Sequence, residues 1–265
     1  MRASGLEVGR VAALWRYPVK SMGGEGLEEV ELDWHGLAGD RRWAFVRDGV
    51  ARSGFPWQTI RQRPDMGHYR PSFLEPGRPD ASPTVVRTPA GEELDVVDPA
   101  LAAQLGEGVR VIKQDRGVFD VMPLSLITTQ TVEGVGALVG AELDVQRFRP
   151  NLLVEAAGAA AFPEDCWVGS VLRIGDMRMR VDQRDGALRP GQRRSGHDRA
   201  QPGDPARHRS RAPSLPRGVR LAGSARPCGR RRPRRLRRVK VSKVPAVART
   251  PLLAAPCPNG AARRR

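Results

Sequence analysis

The sequence predicts a mixed α/β, β-rich fold followed by a long segment that cannot build a core. Three observations predict it. Apolar runs of strand length recur through the first 185 residues with turn residues between them, whereas only two stretches read as helices. Every Trp, Phe, Tyr and Met side chain falls within those 185 residues. After Gly186 there is no Ile, Met, Phe, Trp, Tyr or Glu, while Pro occurs 11 times. Such a segment cannot bury enough apolar area to offset its ordering entropy, so a disordered Arg/Pro-rich tail is expected over 186–265. Many short strands with few helices suggest β-barrels decorated by helices.

The elements follow in chain order. Arg10 to Trp15 reads as a strand, with Val19 beyond Pro18 and a turn at Gly23-Gly24. Val30, Leu32 and Trp34 alternate with Glu31 and Asp33, the period of a half-buried strand. Trp43 to Val46, Thr84 to Arg87 and Val109 to Ile112 are further strands, and Pro99 to Leu105 is a brief helix. Val132, Val135, Leu138 and Val139 recur at helical spacing, which predicts an amphipathic helix over about residues 130–139. Leu152 to Val154 follows as a strand. Val171 to Ile174 and Met177 to Val181 form a hairpin through Gly175-Asp176.

Charge divides the chain at the same place as composition. The 265 residues sum to +16, but residues 1–185 carry −5 and residues 186–265 carry +21. A uniformly basic globular domain is thereby excluded. Cys166, Cys228 and Cys257 are too widely spaced for a disulfide framework or a zinc or iron–sulfur ligand set. Met1 to Arg10 has no apolar signal region, and no window approaches 18 apolar residues, so a cytoplasmic setting without membrane spanning is expected.

Several polar residues sit at strand ends, and taken singly each has an ordinary reading. Lys20-Ser21 is a solvated turn, and Arg41 and Arg42 beside Asp40 form a surface ion pair of little value. Arg147 and Arg149 straddle a strand edge. Thr128 and Thr129 serve as well to cap a helix as to touch a ligand, and Trp43 and Trp167 anchor the core.

Together they form an ordered set: Tyr17-Pro-Val-Lys-Ser21, Gly39-Asp-Arg-Arg-Trp-Ala-Phe-Val46, Met122-Pro-Leu-Ser-Leu-Ile-Thr-Thr129, Arg147-Phe-Arg-Pro-Asn151 and Glu164-Asp-Cys-Trp-Val-Gly169 running into Leu172-Arg-Ile-Gly175. Over roughly residues 8–185 this resembles the MOSC-domain proteins with an N-terminal MOSC β-barrel, the branch that includes the mitochondrial amidoxime reducing component. The resemblance implies a MOSC N-terminal β-barrel domain over 1–115 and an incomplete MOSC domain over 116–185. It also implies a molybdenum–molybdopterin cofactor and an oxidoreductase of N-oxygenated small molecules. On that footing Lys20, Ser21 and Arg41 bind the pterin phosphate, the last as a bidentate fork. Arg149 hydrogen-bonds the pterin or the metal face, with Pro150 expected to hold its backbone extended. Asn151 reads a pterin edge or holds its loop. Electrons would come from a separate reductase. The pyridoxal-phosphate domain of fused cofactor sulfurases has no counterpart, which leaves cofactor carriage or sulfur transfer as the alternative role.

The pattern breaks at the expected metal ligand. In this family the strand after the hairpin leads to an Arg-Cys whose thiolate binds molybdenum. Here the chain reads Arg184-Asp-Gly-Ala-Leu-Arg-Pro190, and Cys166 reads as an ordinary, partly buried thiol. A shifted reading frame would account for the break. Written in degenerate codons and read from the second base of each, with the middle base of every new codon largely free, Ala187-Leu188 can give Arg-Cys, Gly196 to Arg209 can give ATTERNPAILRDIA, and Leu215 to Arg234 can give CLGVYASPVRPGRVAVGDPV. Val239-Lys240 can then supply a stop. The chain as written is therefore expected to lack its metal thiolate and the strands that complete the second barrel, with impaired activity. The runner-up takes the tail at face value: Gly229 to Lys240 holds eight basic residues in twelve, the pattern of an arginine-rich nucleic-acid-binding segment. No aromatic residue interleaves to stack on bases, so nucleic acid is not the expected partner.

Overall fold

The computed structural model describes residues 6–33, 35–49 and 55–184, and the backbone of 219–222 and 239–242. Its strands are β1 (Leu6–Arg16), β2 (Glu25–Gly26), β3 (Leu32–Asp33), β4 (Gly36–Leu37), β5 (Trp43–Arg47), β6 (Arg70–Phe73), β7 (Thr84–Arg87), β8 (Glu93–Asp95) and β9 (Val109–Lys113). They continue as β10 (Leu124–Thr128), β11 (Leu152–Ala156), β12 (Val171–Ile174), β13 (Met177–Arg184), β14 (Val219–Ala222) and β15 (Val239–Ser242). Two α-helices accompany them, α1 (Pro99–Leu105) and α2 (Thr129–Val139). The fold is β-rich, as the spacing predicts.

The largest sheet pairs its strands in the order β11-β10-β14-β13-β12-β15-β1-β2, and β1 also pairs β11. The pairings from β11 round to β1 therefore return to their start. Strand β1 is the hinge of this arrangement. It lies at the head of the sequence but is hydrogen-bonded to β11 and β15, with Leu14 opposite Leu152. Gly9 serves this contact, because a Cβ there would collide with the Glu155 carbonyl. Around the sheet packs one core that includes Leu14, Leu37, Leu126, Leu152, Trp167 and Leu172. A second core, with Val19, Met22, Phe45, Met66 and Leu101, lies among β5, β7, α1 and the segment after β1. Chain segment 14–22 contributes to both. The site described below is built where it crosses from one to the other.

Several expectations need correction. Within the strand read over 30–34, the described residues pair only at Leu32–Asp33, with Gly36–Leu37, because the chain turns back directly between Asp33 and Gly36. Strands β6, β8 and β10 were not legible: β6 has a Pro at its second position and β8 is a charged three-residue edge. Helix α2 forms with Thr128 as its N-cap, accepting from the Thr131 N–H at 3.1 Å, and Gly140 closes it in a left-handed conformation. Its apolar periodicity overstated its burial, since Leu138 and Val139 are exposed.

The strands expected to be lacking are the largest correction. β14 lies between β10 and β13, and β15 between β12 and β1, so both positions are filled from within 186–265. The rest of that range, with the expected Arg-Cys position, the basic run's first ten residues, Cys228 and Cys257, lies outside the described residues. No described helix is long and apolar enough to cross a membrane.

Candidate anion-binding cavity

Three loops meet at the cavity, and backbone hydrogen bonds lock them together. After β1 the chain runs on through Pro18, and beyond it the Lys20 N–H donates to the Trp43 carbonyl at 2.8 Å. The loop before β5 answers, with the Arg41 N–H donating to the Tyr17 carbonyl at 2.6 Å and Trp43 to Pro18 at 3.1 Å. Gly39 lets this loop turn at φ 80°, where a Cβ would meet Pro79 and Phe73. The third loop, ahead of β11, is held from both sides: the Trp15 N–H donates to the Asn151 carbonyl at 3.0 Å, and the Tyr17 hydroxyl to the Pro150 carbonyl at 3.0 Å.

All five residues singled out in the sequence line one cavity of about 130 Å³: Lys20, Ser21, Arg41, Arg149 and Asn151. Lys20 is only 5% exposed; its Nζ donates to the Val118 carbonyl at 3.2 Å and lies 2.5 Å from Asp120 Oδ1. Burial pulls its pKa below that of a free lysine, and the Asp120 carboxylate opposes that shift. Arg41 pairs with Asp40, donates to Asn151 Oδ1 and the Arg149 carbonyl at 3.3 Å each, and stacks 4.8 Å from the Tyr17 ring centroid. Asp40 is wholly buried and accepts from the Tyr17 N–H at 2.7 Å, so the pair is not the surface contact its sequence setting suggests.

Arg149 differs from its neighbours. Its guanidinium sits 4.4 Å from the Tyr17 ring on the cation–π side and donates to the Met22 carbonyl, yet Nη2 is buried without an acceptor. Burial pulls its pKa down to about 10, which still leaves it charged at neutral pH. The same apolar setting pushes the Tyr17 hydroxyl well above its ordinary value, so that it stays a neutral donor. Asn151 is wholly buried and fully engaged: Oδ1 accepts from the Ser125 N–H at 3.2 Å and Nδ2 donates to the Trp15 carbonyl at 3.2 Å. These bonds tie the loop ahead of β11 to β1 and β10.

The backbone is unusual at the same place. Four described non-glycine residues have left-handed φ values, and three of them line the cavity: Ser21 at 68°, Arg41 at 51° and Arg149 at 51°. Each such conformation costs about 1–3 kcal/mol and persists only where surrounding contacts impose it. For Arg149 this corrects the extended backbone expected before Pro150. The residue ends the 3₁₀ turn Val145–Phe148, its N–H donating to the Gln146 carbonyl at 3.0 Å, and its side chain's contacts with Tyr17 and Met22 override the pre-proline preference.

The sequence reading missed Thr59, Arg61, Phe119, Asp120 and Ser125, which also line the cavity. Ser125 lies inside the Met122–Thr129 motif and Asp120 just ahead of it, so that motif held the available signal. The other three come from segments without a pattern. A larger hollow of about 590 Å³ beside α2, lined by Val132, Ala137, Leu143 and Leu153 among others, has no cationic side chain.

Residues 8–117 match the MOSC N-terminal beta barrel domain, and residues 114–187 match the MOSC domain. The chain is a MOSC-domain protein. No curated protein matches it. MOSC domains are associated with molybdenum-cofactor binding, and the cavity of this MOSC protein suits one end of that cofactor. Buried cations, hydroxyls and an unpartnered guanidinium nitrogen suit a phosphate. The metal end is not matched among the described residues: none of the cysteines described lines the cavity, and no three His, Cys, Asp or Glu side chains gather to hold a metal. Cys166 is exposed on the 3₁₀ turn Pro163–Trp167, rather than partly buried as its sequence setting suggests.

Proposed function

We propose that this MOSC protein binds the molybdenum cofactor through its terminal phosphate, held by Lys20, Ser21, Arg41 and Arg149, with Asn151 as a positioning residue. The observation that carries this reading is Arg149, a charged guanidinium held on a strained backbone beside the cavity with a buried nitrogen that has no acceptor. Leaving such a donor unmade costs about 1–3 kcal/mol, and a phosphate oxygen supplies what it lacks. Lys20 and Arg41 already carry carboxylate partners, so they offer further donors while Arg149 adds the unneutralised charge and the unmet bond. Asn151 holds the Arg149 carbonyl loop against Ser125, which fixes where the guanidinium begins.

When bound, the cofactor supplies redox chemistry at molybdenum, and the class of reaction proposed by family is reduction of N-oxygenated small molecules with electrons from a separate reductase. In the chain as written that activity is impaired, because no described residue offers the metal a thiolate at the cavity. A carrier or sulfur-transfer role for the same cofactor is the second reading, favoured by that same lack: holding a phosphate needs no metal ligand. The cytoplasm is the proposed location.

The test is to purify the full chain and measure pterin, by fluorescence after oxidation, and molybdenum, by elemental analysis, on one sample. Pterin well in excess of molybdenum is the expected result. Stoichiometric molybdenum in soluble protein overturns the impairment, and the lack of both pterin and molybdenum overturns the cofactor reading.

A further inference from the structure

We propose that Asp120 is a resident counter-ion of Lys20 that restricts the cavity to terminal phosphate monoesters. The inference rests on reading the cavity as a phosphate grip and names what that grip selects. The two acids beside its cations differ in kind. Asp40 is wholly buried, and one of its oxygens is tied to the Tyr17 N–H, so it stays with Arg41 whatever enters. Asp120 lies on the segment between β9 and β10, next to an exposed Val121, and its side chain is 44% exposed while that of Lys20 is 7% exposed. Its carboxylate therefore already meets water, while the Lys20 ammonium is held inside by the Val118 carbonyl.

An incoming anion therefore meets a lysine that is already neutralised. To take Lys20 it must outbid a carboxylate that carries one negative charge on two oxygens. A phosphate diester brings one charge on two free oxygens and gains nothing by the exchange. A monoester brings close to two charges on three oxygens, enough to engage Lys20 and still satisfy Arg149 Nη2. If Asp120 stayed in place, it would face the phosphate across Lys20, and like-charge repulsion would oppose binding. Asp120 thus selects by charge number, in a cavity whose remaining contacts accept any oxyanion.

The experiment is calorimetric titration of the full-length protein with methyl phosphate and with dimethyl phosphate. The proteins are the unsubstituted chain, Asp120→Asn, Asp120→Ser as a second variant in case the first folds poorly, Lys20→Ala, and Glu93→Gln. The last removes one negative charge from exposed strand β8 and controls for overall charge. The expected result is that the unsubstituted chain binds methyl phosphate and discriminates against dimethyl phosphate. Both Asp120 variants should bind methyl phosphate about tenfold tighter and accept dimethyl phosphate, with Glu93→Gln unchanged. Unchanged or weaker methyl phosphate affinity in both Asp120 variants overturns the proposal, as does an equal gain in Glu93→Gln. Binding that is lost in Lys20→Ala but indifferent to Asp120 removes this inference and leaves the phosphate grip. Failure of every protein to bind methyl phosphate removes both.

Discussion

Arg16 and Arg149 are both held inside this fold with one guanidinium nitrogen, Nη2, buried and without an acceptor. Their surroundings differ. Arg16 closes β1 opposite Glu25 on β2, and its Nε lies 2.7 Å from the Glu25 carboxylate. It also donates to the Ala38 carbonyl at 3.1 Å and the Pro76 carbonyl at 3.3 Å, and it stacks 4.6 Å from the Phe73 ring centroid. Arg149 has a ring and one carbonyl but no ion pair among the described residues. Its backbone is left-handed where that of Arg16 lies in a regular ladder. The difference separates an arginine whose charge the chain neutralises itself from one whose charge awaits a ligand. The first is part of the fold. The second is part of a site.

The contrast can be broken from the Arg16 side first, where the largest effect is expected. Arg16→Met leaves Glu25 half-buried without its cation, and stability should fall by about 3 kcal/mol. Urea denaturation at neutral pH measures this. The folded fraction should still bind methyl phosphate with unchanged affinity, since Arg16 does not line the cavity. A variant as stable as the unsubstituted chain would show that the two arginines do not differ in the way described.

Arg149→Ala should do the reverse. Methyl phosphate affinity should drop about 100-fold, the loss of a charge-assisted donor pair in a desolvated site. Stability without ligand should change by less than about 1 kcal/mol, because the lost ring contact is offset by release of an unpaired buried charge. Titration calorimetry and urea denaturation on the same preparation read both quantities. A stability loss matching that of Arg16→Met, with phosphate affinity intact, would place Arg149 among the structural residues.

The sequence reveals Arg149 and conceals Arg16 for a physical reason. Arg149 lies in a compact motif, Arg147-Phe-Arg-Pro-Asn151, whose residue types repeat those of a known family. Arg16 is an isolated basic residue at the end of an apolar strand, and its acid partner comes from a two-residue strand with no periodicity to announce it. The elements divide in the same way. Hairpin β12–β13 was legible because apolar alternation and a Gly-Asp turn are local signals. The partners of β1 were not, because pairing Gly9 with Ala156 and Leu6 with Val241 depends on contacts across most of the chain. Composition argued against any strand beyond Gly186, yet β14 and β15 each need only four residues and an open edge on either side.

Lys20 lies between the two arginines, and the smallest predicted effect belongs to it. It is buried as Arg16 is, but its acid partner is half in water. Burial holds its pKa below the 10.5 of a free lysine. The ligand-free fold therefore releases the Lys20 proton at lower pH than the unfolded chain does. Over the window that ends at 10.5 the unfolded chain binds more protons, so the stability contributed here rises with pH. Ligand binding runs the other way. A phosphate monoester is already a dianion above neutrality, so its affinity follows the protein's cations and should fall a few-fold as Lys20 discharges. Lys20→Arg keeps its charge and should flatten the fall below the pH at which Arg149, pulled down to about 10, begins to discharge as well. Methyl phosphate titrations from neutrality up to a pH below that Arg149 value compare the two proteins. If both profiles fall alike, Lys20 belongs with Arg16 as a residue of the fold, and Arg149 alone marks the boundary of the site.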